Sequence, residues 1–386
     1  MVAIQILLAA VVAGGLAYFG IVLAAVRRFR REPPPAQPQP PPRLSFLKPL
    51  AGNEPELEEN LASFFTIDYP DYEILFAVRT ANDPAAATAQ RLVERRGPRT
   101  ARLIVTGEPA SLEECPNAKV HSLVRLEREA TGDVLVISDS DIRADGGYGW
   151  GLARNFSDAR VGVVTAPYLA KAGASLWSRL EAVGMNTHFW GGVLAAWRLA
   201  PMDFAVGPTM AIRRSCLDAV GGFASVSRYL AEDFVLGRRA AEAGFRCVLS
   251  RRIVEHRIGS EGWRSNLRHR LRWRRSTRRS RPAGYVGEAF TNPLPLAVLL
   301  TAASGGAAWS WIALGACAAL RAAAAAAVAF GALGGRSTWS FWALLPLEDF
   351  IAFGAWIAGF WGDRIEWRGR RFRLYGDGRL EPAVRL

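Results

Sequence analysis

Residues 4–26 carry no charged side chain, and Arg27, Arg28, Arg30 and Arg31 come directly after them. At about 1.5 Å of rise per residue, a helix over this stretch crosses the hydrocarbon core of a bilayer. No other feature narrows the folding options as much, because it commits one end of the chain to lipid. A cleaved leader has its positive charge before the apolar run and a small-residue cut site after it. Here the order is reversed. Residues 1–31 therefore read as an uncleaved anchor with its basic flank in the cytoplasm, by the positive-inside rule. A buried globular helix is the competing reading, and the length argues against it.

Residues 32–42 are a proline-rich, semi-rigid spacer, predicted to lift the next domain off the membrane. From 43 to 262 the pattern changes. Short apolar runs at 44–47, 72–78, 101–105, 134–138 and 161–166 read as buried strands, with helical stretches such as 84–96 and 119–130 between them. This alternation predicts an α/β domain: a mostly parallel sheet wrapped by helices, with ligands beyond the carboxyl ends of its strands.

Residues 263–292 are dense in arginine, with Trp263, Leu267, Leu271 and Trp273 interleaved. They read as a basic amphipathic helix on an anionic membrane surface, or as a solvated charged face. The chain is apolar again over 293–362, where the charges are Arg321, Arg336, Glu348 and Asp349. Two or three spans fit, broken at Gly305-Gly306 and Gly334-Gly335. Residues 363–386 form a basic tail. Placing it in the cytoplasm needs an even number of C-terminal spans, whereas hydropathy accepts three. The expectation is a multi-pass integral membrane protein whose α/β domain is cytoplasmic.

Composition closes off other classes. Half of the 386 residues are hydrophobic and 22% are charged, which excludes disorder, collagen and a disulfide-stapled module. Cys115, Cys216, Cys247 and Cys317 form no C-x-x-C pair, so a zinc site is not expected and a reducing compartment is. The net charge is +13, and all but three of the 48 basic residues are arginine. Nucleic-acid binders are also basic. The apolar flanks argue instead for a membrane partner, and no nucleic acid is expected.

Five short stretches carry candidate chemistry. Asp139-Ser140-Asp141 directly follows the run 134–138, at a strand's carboxyl end. Two carboxylates one residue apart on a turn can share Mg²⁺ or Mn²⁺, whose shell substrate phosphates complete. A helix N-cap is the competing reading. Asp83 also ends a strand, and Pro84 after it makes an N-cap an equal alternative. Glu232-Asp233 opens a helix among apolar residues. Adjacent carboxylates raise the pKa of one, which suits a general base; an exposed helix start is the alternative. Lys119 precedes the strand 134–138 by one helix and can meet a phosphate as a point charge; a solvated lysine is as good a reading. His269, Arg272 and Trp273 lie in the basic segment, where arginine can pair with phosphate and tryptophan can sit at an interface. Local sequence there favours attraction to lipid headgroups.

Together these residues resemble the ceramide glucosyltransferase family, glycosyltransferase family 21, and the related bacterial hopanoid glycosyltransferases. The resemblance begins at 45–52 (SFLKPLAG) and runs through 61–65 (LASFF), 68–70 (DYP), 82–84 (NDP), 139–143 (DSDIR), 231–233 (AED) and Arg272-Trp273. It implies a GT-A-type nucleotide-sugar-binding fold, an inverting mechanism, a UDP-sugar donor and a membrane-lipid hydroxyl acceptor, ceramide or hopanoid. It implies that Asp83 meets the uridine, that Asp139 and Asp141 hold metal and diphosphate, and that Asp233 is the base. Arg272 and Trp273 end the family's closing Arg/Gln-x-x-Arg-Trp motif, whose first place here is His269. The stretch 115–121 (CPNAKVH) also departs from the family pattern. His269 and 177–180 (WSRL) lean toward the hopanoid branch, which implies UDP-N-acetylglucosamine as an alternative donor. Two other functions compete: a processive polysaccharide synthase, opposed by the few C-terminal spans and His269, and a non-enzymatic anchored binder of anionic ligands.

Overall fold

A computed structural model describes residues 2–96 and 100–383. The chain forms two compact units. One comprises Met1–Glu32, Leu169–Ala200 and Ser260–Asp363, and the other Pro33–Tyr168, Pro201–Gly259 and Arg364–Leu386.

The second unit is built on a seven-stranded sheet. From one edge its strands are Ala101–Val105, Tyr72–Val78, Leu44–Pro49, Val134–Ser138, Thr209–Arg213, Val161–Thr165 and Arg246–Leu249. All neighbours are parallel except those of Thr209–Arg213, which runs against both. The five runs read as strands are all present. Helices cover both faces, so the central strands are apolar throughout rather than alternating: Leu44, Phe46, Leu47, Ile74, Val136 and Ile137 are all buried. Thr209–Arg213 and Arg246–Leu249 escaped the sequence reading, because each is five residues or fewer and carries an arginine at one end.

Register decides where the site lies. Leu47 aligns with Leu75 and Ile137, and Ser138 with Thr209. The parallel strands therefore end at the edge where the antiparallel strand begins. Asp139 N donates to Pro208 O at 2.9 Å across that edge. The helix Glu232–Glu242 brings its first turn to the same place because Gly237 lets it sit on the backbone of Phe204 and Ala205; a Cβ there would lie 2.5 Å from the Phe204 carbonyl carbon.

Two stretches group differently from the sequence expectation. Residues 169–200 belong with the membrane helices, where the Trp197 ring meets Phe29 edge-on at 6.1 Å and Arg28 stacks over it at 4.4 Å. Residues 364–382, expected as a basic tail, form an antiparallel sheet of Arg364–Trp367, Arg370–Leu374 and Leu380–Pro382 in the unit that holds the seven-stranded sheet. Ile365, Phe372, Leu374 and Leu380 make its small core.

In the first unit, Val2–Arg31, Ala308–Ala332 and Trp339–Ala358 are long and apolar enough to cross a membrane. The pair Pro282–Phe290 and Leu294–Ala303, bent by 59°, adds a fourth only if it counts as one span. Of the three, one is N-terminal and two are C-terminal. Both expected breaks are present: Gly306 (φ 75°) and Gly334 (φ 72°) adopt the left-handed conformation that ends a helix. Three of the four charges inside the apolar stretch, Arg321, Glu348 and Asp349, are paired. Arg321 holds buried Asp349 at 2.7 Å, and Arg270 grips Glu348 through two bonds of 2.6 and 2.9 Å.

Replacing Gly237 by alanine forces the helix Glu232–Glu242 off the Phe204–Ala205 backbone. The expected cost is about 1–3 kcal/mol, read as a fall of several degrees in Tm of the detergent-solubilised protein. An unchanged Tm contradicts this packing.

Candidate active site

The sheet's carboxyl edge gathers Glu54, Asp83, Asp139, Asp141, Glu232 and Asp233. At its centre is Lys119. Its Nζ lies 2.7 Å from Asp139 Oδ1 and 3.0 Å from Glu232 Oε1, and donates to Gly207 O at 3.4 Å. Asn117 sets it there by capping the helix Ala118–Glu129: Oδ1 accepts from Lys119 N and Val120 N, while Nδ2 donates to Tyr229 O at 2.7 Å and Glu232 Oε2 at 3.4 Å. One side chain thus ties helix start, lysine and glutamate together. The sequence alternative of a solvated lysine is excluded, because the Lys119 side chain is only 13% exposed.

Asp139 and Asp141 sit on the turn after Val134–Ser138, with side chains 30% and 35% exposed, open enough for a ligand to reach. Burial raises Asp141, but His256, whose Nε2 lies 2.9 Å from Oδ2, leads Lys48 and Lys119 in holding it below the usual carboxylate range. Burial pushes Asp139 up despite Lys119. Two neighbouring carboxylates are thereby given different proton affinities. Asp141 Oδ1 is buried with no hydrogen-bond partner among the described residues. Such an orphan suits a cation, although no three His, Cys, Asp or Glu side chains among the described residues form a closed cage. An open pair of carboxylates fits Mg²⁺ or Mn²⁺, which take one or two of them and leave the rest to water and phosphates.

Asp233 lies at the start of its helix. Its Oδ2 fills the space a side chain on residue 207 would need, 2.8 Å from where a Cβ would stand. Burial, reinforced by Glu232 and opposed by Lys119, pushes its carboxyl up to about 7. A carboxylate at that point can accept and release a proton near neutrality. Asp83 Oδ1 accepts from Ala85 N at 2.9 Å and from Gly52 N at 2.8 Å. It is therefore an N-cap, and it also fixes the loop after the first strand at the site's edge.

Three contributors were missed by the sequence reading of site residues. Lys48, fully buried in Leu44–Pro49, donates to Asp139 O at 2.5 Å and stacks 3.9 Å over the Phe64 ring. Burial lowers it to about 7 against the pull of Asp141, Asp139 and Glu54. A lysine inside an apolar strand was the available signal. His256 and Glu54 offered none, since their partners lie far along the chain.

His269, Arg272 and Trp273 lie in the other unit, on the helix Trp263–Ser280. The His269 ring meets Trp273 at 4.2 Å, and Nδ1 lies 3.4 Å from Glu181 Oε1. The helix forms as expected, but polar bonds rather than its leucines anchor it: Asn266 to Glu181 at 2.5 Å, Arg270 to Glu348, and Arg274 to Glu288. Trp263 and Trp273 stay exposed.

The model of glycosyl transferase family 21 matches residues 7–380. The chain belongs to glycosyl transferase family 21. Among its relatives, ceramide glucosyltransferase 3 of Caenorhabditis elegans is 27% identical over 234 residues, 60% of this chain and 50% of that protein. Ceramide glucosyltransferase of Komagataella phaffii is 31% identical over 128 residues, 33% of this chain and 25% of that protein. This family 21 chain spans half or less of the length of the curated relatives it matches. Among solved structures, the mannosyltransferase PcManGT from Pyrobaculum calidifontis, in complex with GDP-Man and Mn²⁺, matches with a TM-score of 0.55 at 20% identity, over 93% of this chain and 97% of that one. That likeness is one of fold, and it agrees with the expected GT-A-type architecture.

Lys119→Met leaves Asp139 and Glu232 facing each other without a cation. Breaking such a pair costs about 3–5 kcal/mol when buried and less at the partly open Asp139. Tm is expected to fall, and to recover partly when Glu232→Gln is added. A variant as stable as the parent contradicts the bridging role.

Proposed function

We propose that this family 21 enzyme moves a hexose from a UDP-sugar, UDP-glucose in the first instance, to a hydroxyl of a ceramide-type lipid, inverting the anomeric carbon. The observation that carries the reading is the meeting of Asp139, Asp141, Glu232 and Asp233 around Lys119 at the sheet's carboxyl edge. The ceramide glucosyltransferases among its relatives support the choice of donor and acceptor.

Asp233 accepts the hydroxyl proton as the lipid oxygen bonds to the anomeric carbon and the bond to the diphosphate oxygen breaks, releasing UDP. A positioned base of this kind contributes about 10²–10⁴ in rate. Glu232 raises its basicity and holds Lys119. Asp83 meets the uridine. Asp139 and Asp141 would hold Mg²⁺ or Mn²⁺, which when bound would neutralise negative charge on the diphosphate. Arg272 and Trp273, with His269 in the first place of their motif, serve the diphosphate side. In this reading the catalytic unit faces the cytoplasm, by the positive-inside rule, and the membrane is a bacterial inner membrane. A hopanoid acceptor with UDP-N-acetylglucosamine is a second reading, favoured by His269 where the family motif has Arg or Gln.

Asp233→Asn keeps shape and hydrogen bonding but cannot accept the proton. Turnover is expected to fall at least about a hundredfold with UDP-glucose affinity preserved, and Glu232→Gln to cost less. In the parent enzyme kcat/KM should fall as pH drops through about 7, because only the ionised Asp233 is a base. Substantial turnover in Asp233→Asn removes it as the base. Chelation should abolish transfer, and Asp141→Ala should raise the Mn²⁺ concentration needed for half-maximal rate. Full turnover in excess chelator contradicts the metal assignment.

A further inference from the structure

The C-terminal hairpin carries a residue that its own turn does not want. Arg368 and Gly369 join Arg364–Trp367 to Arg370–Leu374, with φ of 49° and 74°. A two-residue turn with both φ positive favours Asn-Gly or Gly-Gly. Arginine carries a steric penalty there, and such outliers concentrate where the side chain has a task.

The hairpin is firmly docked. Leu380 N donates to Arg228 O at 2.6 Å, Arg228 pairs with Glu381 at 3.1 Å, Tyr229 bridges to Arg379, and Leu230 packs on the hairpin's core. Residues 228–230 lead directly into Glu232-Asp233. From that base the turn presents Arg368 to the acidic edge, where its guanidinium lies in the field of Glu54, Asp139 and Asp83. Arg368 is exposed, and no ion pair holds it among the described residues. Arg79, Arg368 and Arg370 line one shallow cleft together with Trp367 and Pro116. Glu108 reaches Arg79 at 3.4 Å and Arg370 at 3.7 Å, which fixes the cleft's two sides. Guanidinium groups beside a carboxylate pair suited to a divalent cation make a place for a polyphosphate, and the indole offers a face to a planar base.

We propose that the C-terminal hairpin is a wall of the donor site, and that Arg368 binds the diphosphate of the nucleotide sugar, with Arg79 and Arg370 beside it. This rests on the nucleotide-sugar reading above and adds to it a contact from the far end of the chain.

The test is calorimetric binding of UDP, uridine and inorganic pyrophosphate, in Mg²⁺, to the full-length protein in detergent. Arg368→Gly removes the guanidinium while suiting the turn's positive φ, so Tm should hold or rise. Loss of a charged hydrogen bond predicts about tenfold to a hundredfold weaker UDP and pyrophosphate binding, with uridine within about twofold of the parent. Arg368→Lys should retain part of the affinity. UDP and pyrophosphate binding unchanged in Arg368→Gly, or an equal loss for uridine, overturns the proposal. If the parent binds pyrophosphate but not UDP, the UDP reading fails and pyrophosphate still decides Arg368. If it binds neither, both fail.

Discussion

Lys119 holds the active-site edge together. Asp139, Asp141, Glu232 and Asp233 converge there because strand register and one helix start bring them together, and their mutual repulsion needs cations. Lys119 bridges Asp139 and Glu232, Lys48 bonds the Asp139 carbonyl from inside the sheet, and His256 takes one oxygen of Asp141. The consequence is a division of labour among similar groups. Asp141 stays ionised, Asp139 is pushed up, and Asp233 titrates near neutrality. Environments that separate carboxylate pKa values in this way let neighbouring carboxylates take different roles. In a chain whose basic residues are otherwise arginine, two of the three lysines stand at this edge. A compact ammonium fits between close carboxylates where a planar fork does not.

The sheet was legible because its central strands are buried on both faces, which leaves unbroken apolar runs such as Val134–Ser138. Thr209–Arg213 was not: five residues ending in arginine carry too little periodicity, although this strand delivers Gly207 and Pro208 to the site. Asp139 and Asp141 could be placed from a strand's end alone. His256 could not, because its partner lies 115 residues away and nothing local marks the pairing. Asp83 shows the limit of local reasoning differently. Its capping geometry is present, and the same carboxylate also fixes the loop at Gly52, a contact that local sequence does not show. The C-terminal hairpin was hidden by its arginines, since only every second residue of a half-exposed strand is apolar.

The membrane unit obeys the same electrostatic rule under harsher conditions. Arg321–Asp349 and Arg270–Glu348 satisfy charges that lipid cannot solvate. Exposed Trp309, Trp311, Trp339 and Trp361 lie near the ends of the spanning helices, where indole suits the bilayer interface. The helix with His269, Arg272 and Trp273 is anchored through Glu181, Glu348 and Glu288, so the closing motif stands on a fixed support.

Asp233 as the base implies a single displacement at the anomeric carbon, with no glycosyl-enzyme intermediate. The most direct measurement is the anomeric configuration of the lipid product, by proton NMR, when the purified protein is supplied with α-linked UDP-glucose, Mn²⁺ and ceramide in lipid nanodiscs. A single displacement predicts a β-glucoside and no α product. An α-glucoside contradicts it, because a single in-line displacement cannot retain the configuration of the donor.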